Sequence, residues 1–68
     1  MKVYAVKQMM MDGYVVKALC STEDKALLLL YNLVFASDAW LRETEDGKGY
    51  YDRHTGHVEF EIEEMEVL

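Results

Sequence analysis

Residues 21–36 read STEDKALLLLYNLVFA, and this stretch decides the fold because it predicts one long helix in the middle of the chain. Its opening, Ser21–Asp24, resembles a capping box, and acidic side chains are favourable at a helix N-terminus. Apolar residues at helical spacing then predict one buried stripe, made of Ala26, Leu27, Leu30, Leu33, Val34 and Leu41. Leu28, Tyr31 and Phe35 fall beside this stripe, so the apolar surface is wider than a two-stranded sheet can cover.

Two strands are predicted before the helix, at residues 2–11 and 14–20. Asp12-Gly13 between them favours a two-residue hairpin turn, since both residues tolerate positive φ. That turn sets Met11 opposite Tyr14 and fixes the register of the whole pair. The predicted core side then contains Val3, Ala5, Met9, Val16, Ala18 and Cys20, with Lys7 as its single charge.

After the helix, Ser37-Asp38 offers a second N-cap, and residues 39–43 are expected to extend the helix briefly or to enter a strand. Residues 45–49 form a loop by composition. Residues 50–52 and 57–67 predict a second hairpin, closed by residues 53–56 with Gly56 in the left-handed region.

The last strand shows a break in its alternation of apolar and acidic residues. Glutamates alternate with apolar residues up to Glu63-Glu64, where the phase shifts by one. A bulge at Glu63-Glu64 restores the pattern, with Val58, Phe60, Ile62, Met65 and Val67 inward. The outward set is then Glu59, Glu61, Glu64 and Glu66. The alternative is a strand that ends at Glu63; the bulge is favoured because it also buries Met65 and Val67.

These elements predict a single α+β domain over residues 1–68, in the order ββαββ. One helix packs on one face of a mainly antiparallel sheet. The chain has 68 residues, so a second core and a deep catalytic cleft are not expected.

Composition excludes several classes of protein. One cysteine excludes an internal disulfide framework, and a net charge of −6 argues against direct binding to nucleic acid. The longest apolar stretch, residues 26–36, is far shorter than the ~20 residues of a membrane span. With a free thiol and no signal-like segment, a cytoplasmic protein is expected.

Two groups of residues have the side-chain types of a chemical site. Cys20 with His54 or His57 has the residue types of a nucleophile and base, but cysteine in an apolar strand is usually a small core residue. Asp52, His54 and His57 have the types of a metal site, but they sit in and beside a tight turn and lack further ligands. We therefore predict no catalytic residue, no metal, no cofactor and no enzymatic activity.

Charge is distributed unevenly along the chain. Residues 1–35 hold four lysines and three acids, a net of +1, whereas residues 36–68 hold ten acids and three bases, a net of −7. The outward glutamates would make a row of anions spaced by ~6.6–6.8 Å. This row is either a solvated face or a surface that docks onto a basic protein surface.

The sharper hypothesis is an inhibitor that occupies the nucleic-acid-binding surface of a protein partner, as a partial DNA mimic. The partner-binding set is predicted to be Glu45, Asp46, Tyr50, Tyr51, Glu59, Glu61, Glu64 and Glu66. Trp40 is also a typical interface anchor, but packing in the core or sheet is expected for it. The alternative function is an assembly module that forms a homodimer through Leu28, Tyr31 and Phe35.

Three segments carry a resemblance to a known class of proteins. The opening Lys2–Val6, the Asp12-Gly13 turn and the helix start at Ser21–Ala26 look like those of small ββα-type phage proteins. With its short acidic chain and glutamate-rich strand, the protein resembles the anti-CRISPR inhibitors among them. The resemblance implies a CRISPR effector as partner and the cytoplasm of the phage host as location, and it assigns no functional residue.

Overall fold

The computed structural model describes residues 1–37 and 40–67. Its elements, in chain order, are β1 (Lys2–Met10), β2 (Gly13–Cys20), α1 (Glu23–Ala36), β3 (Leu41–Glu43), β4 (Gly49–Asp52) and β5 (Val58–Glu66). The predicted second N-cap at Ser37-Asp38 lies partly outside the described residues, and the described part, Ser37, caps the C-terminus of α1.

The five strands form one antiparallel sheet in the order β2-β1-β5-β4-β3, with α1 on one face. The predicted α+β class is confirmed. The structure adds the short strand β3 to the predicted order, because residues 41–43 pair with β4 instead of extending the helix. The predicted loop and the second hairpin are also confirmed, including the positive φ of Gly56, +78°.

Helix α1 begins at Glu23 with Thr22 as its N-cap, and it buries the predicted stripe except for Leu41, which lies in β3 and packs against the core from there. The Thr22 hydroxyl accepts the backbone N–H of Lys25 at 3.3 Å, which satisfies one free donor of the first turn. Ala26 and Leu30 are fully buried against Val6, Cys20, Phe60 and Ile62, and this cluster is the core. The flanking residues Leu28, Tyr31 and Phe35 are exposed.

The first hairpin differs from its predicted register. Met10 lies opposite Gly13, so Met11-Asp12 forms the turn and Gly13 already belongs to β2. Farther along, Lys7 pairs with Val16 and Val6 with Ala18, which leaves Lys17 as a bulged extra residue. A shift of one residue reverses the side to which a strand points its side chains.

The predicted core side of the hairpin is therefore wrong for four of its six residues. Tyr4 and Val6 contact the core, together with Ala18 and Cys20. The side chains predicted to accompany Ala18 and Cys20 point to the opposite face of the sheet; they are Val3, Ala5, Met9 and Val16. Sequence alternation alone could not reveal this, because β1 and β2 are apolar at both phases.

The predicted bulge at Glu63-Glu64 is also wrong, and so is the alternative of a strand ending at Glu63. Strand β5 pairs with β1 without interruption from Phe60, opposite Gln8, to Glu66, opposite Lys2. The irregularity lies instead against β4, where Tyr50 faces Phe60 and Tyr51 faces Val58, so Glu59 is the extra residue. Met65 is consequently on the face opposite α1 and is exposed.

Candidate binding surfaces

The face of the sheet opposite α1, here the bare face, carries no other described element. Its β1–β2 part is apolar and its β5 part is acidic. We name the apolar part the apolar patch; it consists of Val3, Ala5, Met9, Tyr14, Val16, Leu19 and Met65, of which Ala5 is fully buried beneath its neighbours. Tyr14, Val16, Leu19 and Met65 are exposed, so the patch presents large apolar side chains to solvent.

Lys7 lies within the apolar patch and is itself only 7% exposed. Its ammonium forms an ion pair with Glu63 and sits 4.2 Å from the ring centroid of Tyr14. The hydrogen bond to Glu63 raises the pKa of Lys7 above its ordinary value, against the opposing effect of burial. The buried cation therefore has both a charged and an aromatic partner.

The predicted row of outward glutamates is split between the two faces. Glu61 is on the bare face opposite Lys7, whereas Glu64 is on the helix side beside Tyr4. Glu64 forms an ion pair with Lys2 at 3.0 Å, and the hydrogen bond from Lys2 lowers the pKa of Glu64. Glu66 lies 3.6 Å from the N-terminal amino group. Two of the four predicted anions thus have internal cationic partners.

A different group of acids comes together at the β3–β4 turn. Glu45, Asp46 and Glu61 line one shallow depression, and Glu43, opposite Tyr50 at the end of β3, has its carboxylate beside Gly47 of the same turn. We name these four residues the acidic end. Lys48, the base of this turn, forms an ion pair with Glu23 of α1 at 3.3 Å.

Asp46 also stabilises the turn that carries the acidic end. It accepts hydrogen bonds from the Thr44 hydroxyl at 2.6 Å and from the backbone N–H of Lys48 at 2.9 Å. These bonds, the one from Thr44 first, lower the pKa of Asp46 and keep it ionised. Gly47 in the same turn has a φ of +73°, which a residue with a side chain rarely adopts.

The aromatic residues named in the sequence lie in different surroundings. Tyr50 packs against the core and meets Tyr31 edge-on at 6.5 Å, and its burial raises the pKa of its hydroxyl. Tyr51 is half-buried opposite Arg42 on the bare face. Trp40 is 62% exposed, so the expectation that it packs in the core or sheet is wrong.

Trp40 instead belongs to a small exposed cluster beside the β4–β5 turn. The His54 ring lies 5.6 Å from its ring centroid, and the Arg53 guanidinium lies at 5.5 Å. The backbone N–H of Arg53 donates to the Trp40 carbonyl at 2.8 Å, which holds the two segments together. The sequence offered no signal for this contact, because it joins residues on opposite sides of a hairpin.

The residue types of a catalytic or metal site do not converge in the described structure. Cys20 is buried in the core. The Asp52 carboxylate accepts the backbone N–H groups of His54 and Thr55, at 2.7 and 3.2 Å, and so stabilises the turn. Within residues 1–37 and 40–67, no three His, Cys, Asp or Glu side chains are grouped to hold a metal ion.

Comparison with known proteins adds no relative. No family model, curated protein or solved structure gives a significant match to this chain. Across the described ranges, no helix combines the length and apolar character that crossing a membrane requires.

Proposed function

We propose that this domain is a non-enzymatic inhibitor that binds another protein, docking its acidic end onto a basic, nucleic-acid-binding surface. The observation that carries the proposal is the clustering of carboxylates that have no ion pair of their own. Within the described residues, no ion pair reaches Glu43, Glu45 or Glu61. These three carboxylates and Asp46 lie around a single turn and the adjoining strand.

Three acids at the end of β5 are compensated, whereas Glu59, the extra residue of that strand, has no ion pair among the described residues. Glu63, Glu64 and Glu66 pair with Lys7, Lys2 and the N-terminal amino group. The net charge of −7 in residues 36–68 is therefore more concentrated at the acidic end than the sequence alone indicates. A concentrated field of one sign accelerates association with an oppositely charged surface and makes it sensitive to salt.

Trp40 supports the proposal as an anchor near the acids. It precedes β3, whose other end carries Glu43, and the three residue steps between Trp40 and Glu43 span roughly 10 Å. Exposed tryptophans are frequent energetic centres of protein interfaces. In the proposed complex Trp40 and Tyr51 supply contact area, while Tyr50 remains with the core.

A partner of this kind binds nucleic acid through Lys and Arg, and the domain would compete for that surface. A CRISPR effector in the host cytoplasm is such a partner, as the resemblance to anti-CRISPR inhibitors implies. The acidic end has four carboxylates, so it would replace a short run of phosphates and act as a partial mimic.

The test begins with capture of partners by the immobilised domain from host lysate at low salt. Each captured protein is then given labelled duplex DNA, and displacement of the DNA by the domain is measured. We expect displacement, with an affinity that falls about tenfold or more when salt is raised from about 50 to 500 mM. Capture only of proteins that bind no nucleic acid would contradict the proposal.

A matched pair of variants separates the acidic end from net charge. Glu45→Lys and Asp12→Lys each reverse one exposed acid in a hairpin turn, at the β3–β4 turn and at the β1–β2 turn. We expect Glu45→Lys to weaken binding about tenfold and Asp12→Lys to change it less than about threefold. Equal losses would mean that only net charge matters.

The alternative from the sequence, assembly through the helix, stays a prediction. Its best-placed residue is Phe35, which is 93% exposed. Phe35→Ser should lower self-association if that surface is the interface.

A further inference from the structure

Strands β1 and β2 carry apolar side chains on both of their faces. On the helix side they place Tyr4, Val6 and Cys20 against the core, and on the other side they form the apolar patch. Strands with one solvated face normally alternate apolar and polar residues, whereas strands apolar at both phases are typical of sheets covered on both faces. In strand β5 Phe60 and Ile62 alternate with Glu61 and Glu63, as expected where one face meets water.

The exposed area of the whole chain points in the same direction. A folded monomer of 7.9 kDa is expected to expose about 4,400 Å². This chain exposes 5098 Å², which is about 700 Å² more. Each partner in an interface of standard size buries about 800 Å². The excess is of the size of one side of such an interface, and the exposed side chains of the apolar patch contribute to it.

The charged groups on the bare face do not prevent another protein surface from covering it. A buried cation without a partner is strongly destabilising, but Lys7 already has Glu63 and the Tyr14 ring. The other exposed apolar surface, around Leu28 and Phe35, belongs to a single helix. The apolar patch extends over β1, β2 and one residue of β5, so it offers the broader contact.

We propose that two copies of this chain form a two-fold dimer through the apolar patch. A second copy fits because the patch is apolar and its one described cation is paired, so identical surfaces meet without repulsion. The order β2-β1-β5-β4-β3 puts Glu43, Glu45 and Asp46 of the acidic end on the far side of each sheet, whereas Glu61, opposite Lys7, borders the contact. This inference goes beyond the proposed function and leaves the β3–β4 turn of each copy, with Glu45 and Asp46, free.

Contact is expected face to face and not by pairing of edge strands. The free edge of β2 is interrupted by the bulge at Lys17. A bulge that carries a lysine is one of the devices that prevent a sheet from adding a further strand. Two copies would therefore associate through the apolar side chains of the patch.

Val15 and Val16 provide a matched pair of variants for the test. They are neighbours on β2, 44% and 46% exposed, but Val15 pairs with Gln8 on the helix side and Val16 with Lys7 on the bare face. The mass of the chain is measured by sedimentation equilibrium from about 1 to 200 µM, a range that brackets micromolar affinity. We expect wild type to approach twice 7.9 kDa as concentration rises.

Val16→Glu should raise the dissociation constant of the dimer about tenfold or more, and Val15→Glu should leave it within about twofold. Circular dichroism checks that both variants fold. If Val16→Glu does not fold, Val16→Thr and Val15→Thr are used instead, because threonine keeps the shape of valine. Val16→Thr should then raise the dissociation constant about threefold, and Val15→Thr should change it less.

Three results would overturn the proposal. One is a chain that stays monomeric at every concentration, which would leave the patch to a different protein. Another is equal dissociation by the Val15 and Val16 variants. The third is a dimer that Phe35→Ser dissociates and Val16→Glu does not, which would place the contact on the helix. None of these results depends on the acidic end, so the proposed inhibitor function is tested separately.

Discussion

The two sides of the sheet, β2-β1 and β5-β4-β3, share one helix and one core but differ in the surfaces that they expose. The β2-β1 side is near neutral and exposes Tyr14, Val16 and Leu19, whereas the β5-β4-β3 side exposes the acidic end. The strand order keeps each hairpin together, so the uneven charge of the sequence becomes two separate regions in space. A small domain thereby presents two different chemical surfaces without a second core.

The edges of the sheet differ in the same way. Strand β3 is three residues long and includes Arg42 and Glu43, and short, charged edges resist pairing with other chains. Strand β2 has eight residues and one charged residue, Lys17, placed at the bulge. Both edge strands are therefore protected from pairing with other chains, β3 by its charges and β2 by its bulge. Recognition of a partner is then left to the side chains on the faces of the sheet.

The largest expected effect tests whether the two sides share one cooperative core. Leu30 is fully buried, and α1 contacts β1, β2 and β5. Leu30→Ala should lower the free energy of unfolding by about 2–5 kcal/mol, since it removes buried methyl groups and leaves a cavity. Thermal unfolding is followed by circular dichroism and by Trp40 fluorescence, and one transition is expected in both signals.

Leu28→Ala is the control for this prediction. Leu28 is on the same helix but 62% exposed, so its truncation should change the free energy of unfolding by no more than about 0.5 kcal/mol. Two separate transitions in either protein would contradict a shared core and make the two sides independent units.

A smaller effect is expected at the Lys7–Glu63 pair, where the two sides meet on the bare face. Glu63→Gln leaves the buried ammonium of Lys7 without its charged partner and should cost about 1–3 kcal/mol. Lys7→Met keeps the volume and leaves only Glu63, whose side chain is 50% exposed and can be hydrated. We therefore expect Lys7→Met to cost less than Glu63→Gln in chemical denaturation, and the reverse order would contradict this account of the pair.

The smallest effects are expected from pH, and they should differ between the two sides. Hydrogen bonds lower the pKa of Asp46 and Asp52 from their ordinary 3.8, through Thr44 and through the backbone of His54 respectively. Their contribution to stability is complete above pH 3.8 and is lost as pH falls through the lowered pKa values. Acid should therefore loosen the turns of the β5-β4-β3 side.

Base should act on the β2-β1 side instead. The pKa of Lys7 is raised from 10.5, so its contribution is complete below pH 10.5 and is lost as pH rises through the raised value. Amide NMR signals of Gly47 and Gly56 should shift first in acid, and methyl signals of Val16 and Ala18 should shift first in base. An Asp46→Asn variant with an unchanged acid response at Gly47 would contradict the role of that carboxylate.

The helix and the hairpins were predictable because their signals are local. The capping residues at Ser21–Asp24, the apolar spacing through Val34 and the turn glycine Gly56 depend on neighbours within a few positions. The acids of the β3–β4 turn were predictable as candidates for the same reason. The register of β1 with β2 was not, because both phases of these strands are apolar and the bulge at Lys17 leaves no distinct pattern.

Which acids of the candidate site have cationic partners was likewise not predictable from the sequence. Glu45 and Asp46 were named from the sequence, and Glu61 was placed correctly as an outward residue, but Glu64 and Glu66 lie on the helix side. Their cationic partners, Lys2 and the N-terminal amino group, are more than 60 positions away in the chain. A contact at that separation carries no local signal, and Trp40 became a candidate only once its exposure was known.

By itself the sequence determined the α+β class, the helix and its buried stripe, and the confinement of excess acid to the second half. These follow from propensity, periodicity and composition, which act over short distances along the chain. Tertiary packing alone sets which face of β1 meets the helix, which glutamates lack an ion pair and which apolar residues remain exposed. Those outcomes depend on strand register, since a shift of one residue exchanges the two faces of a sheet.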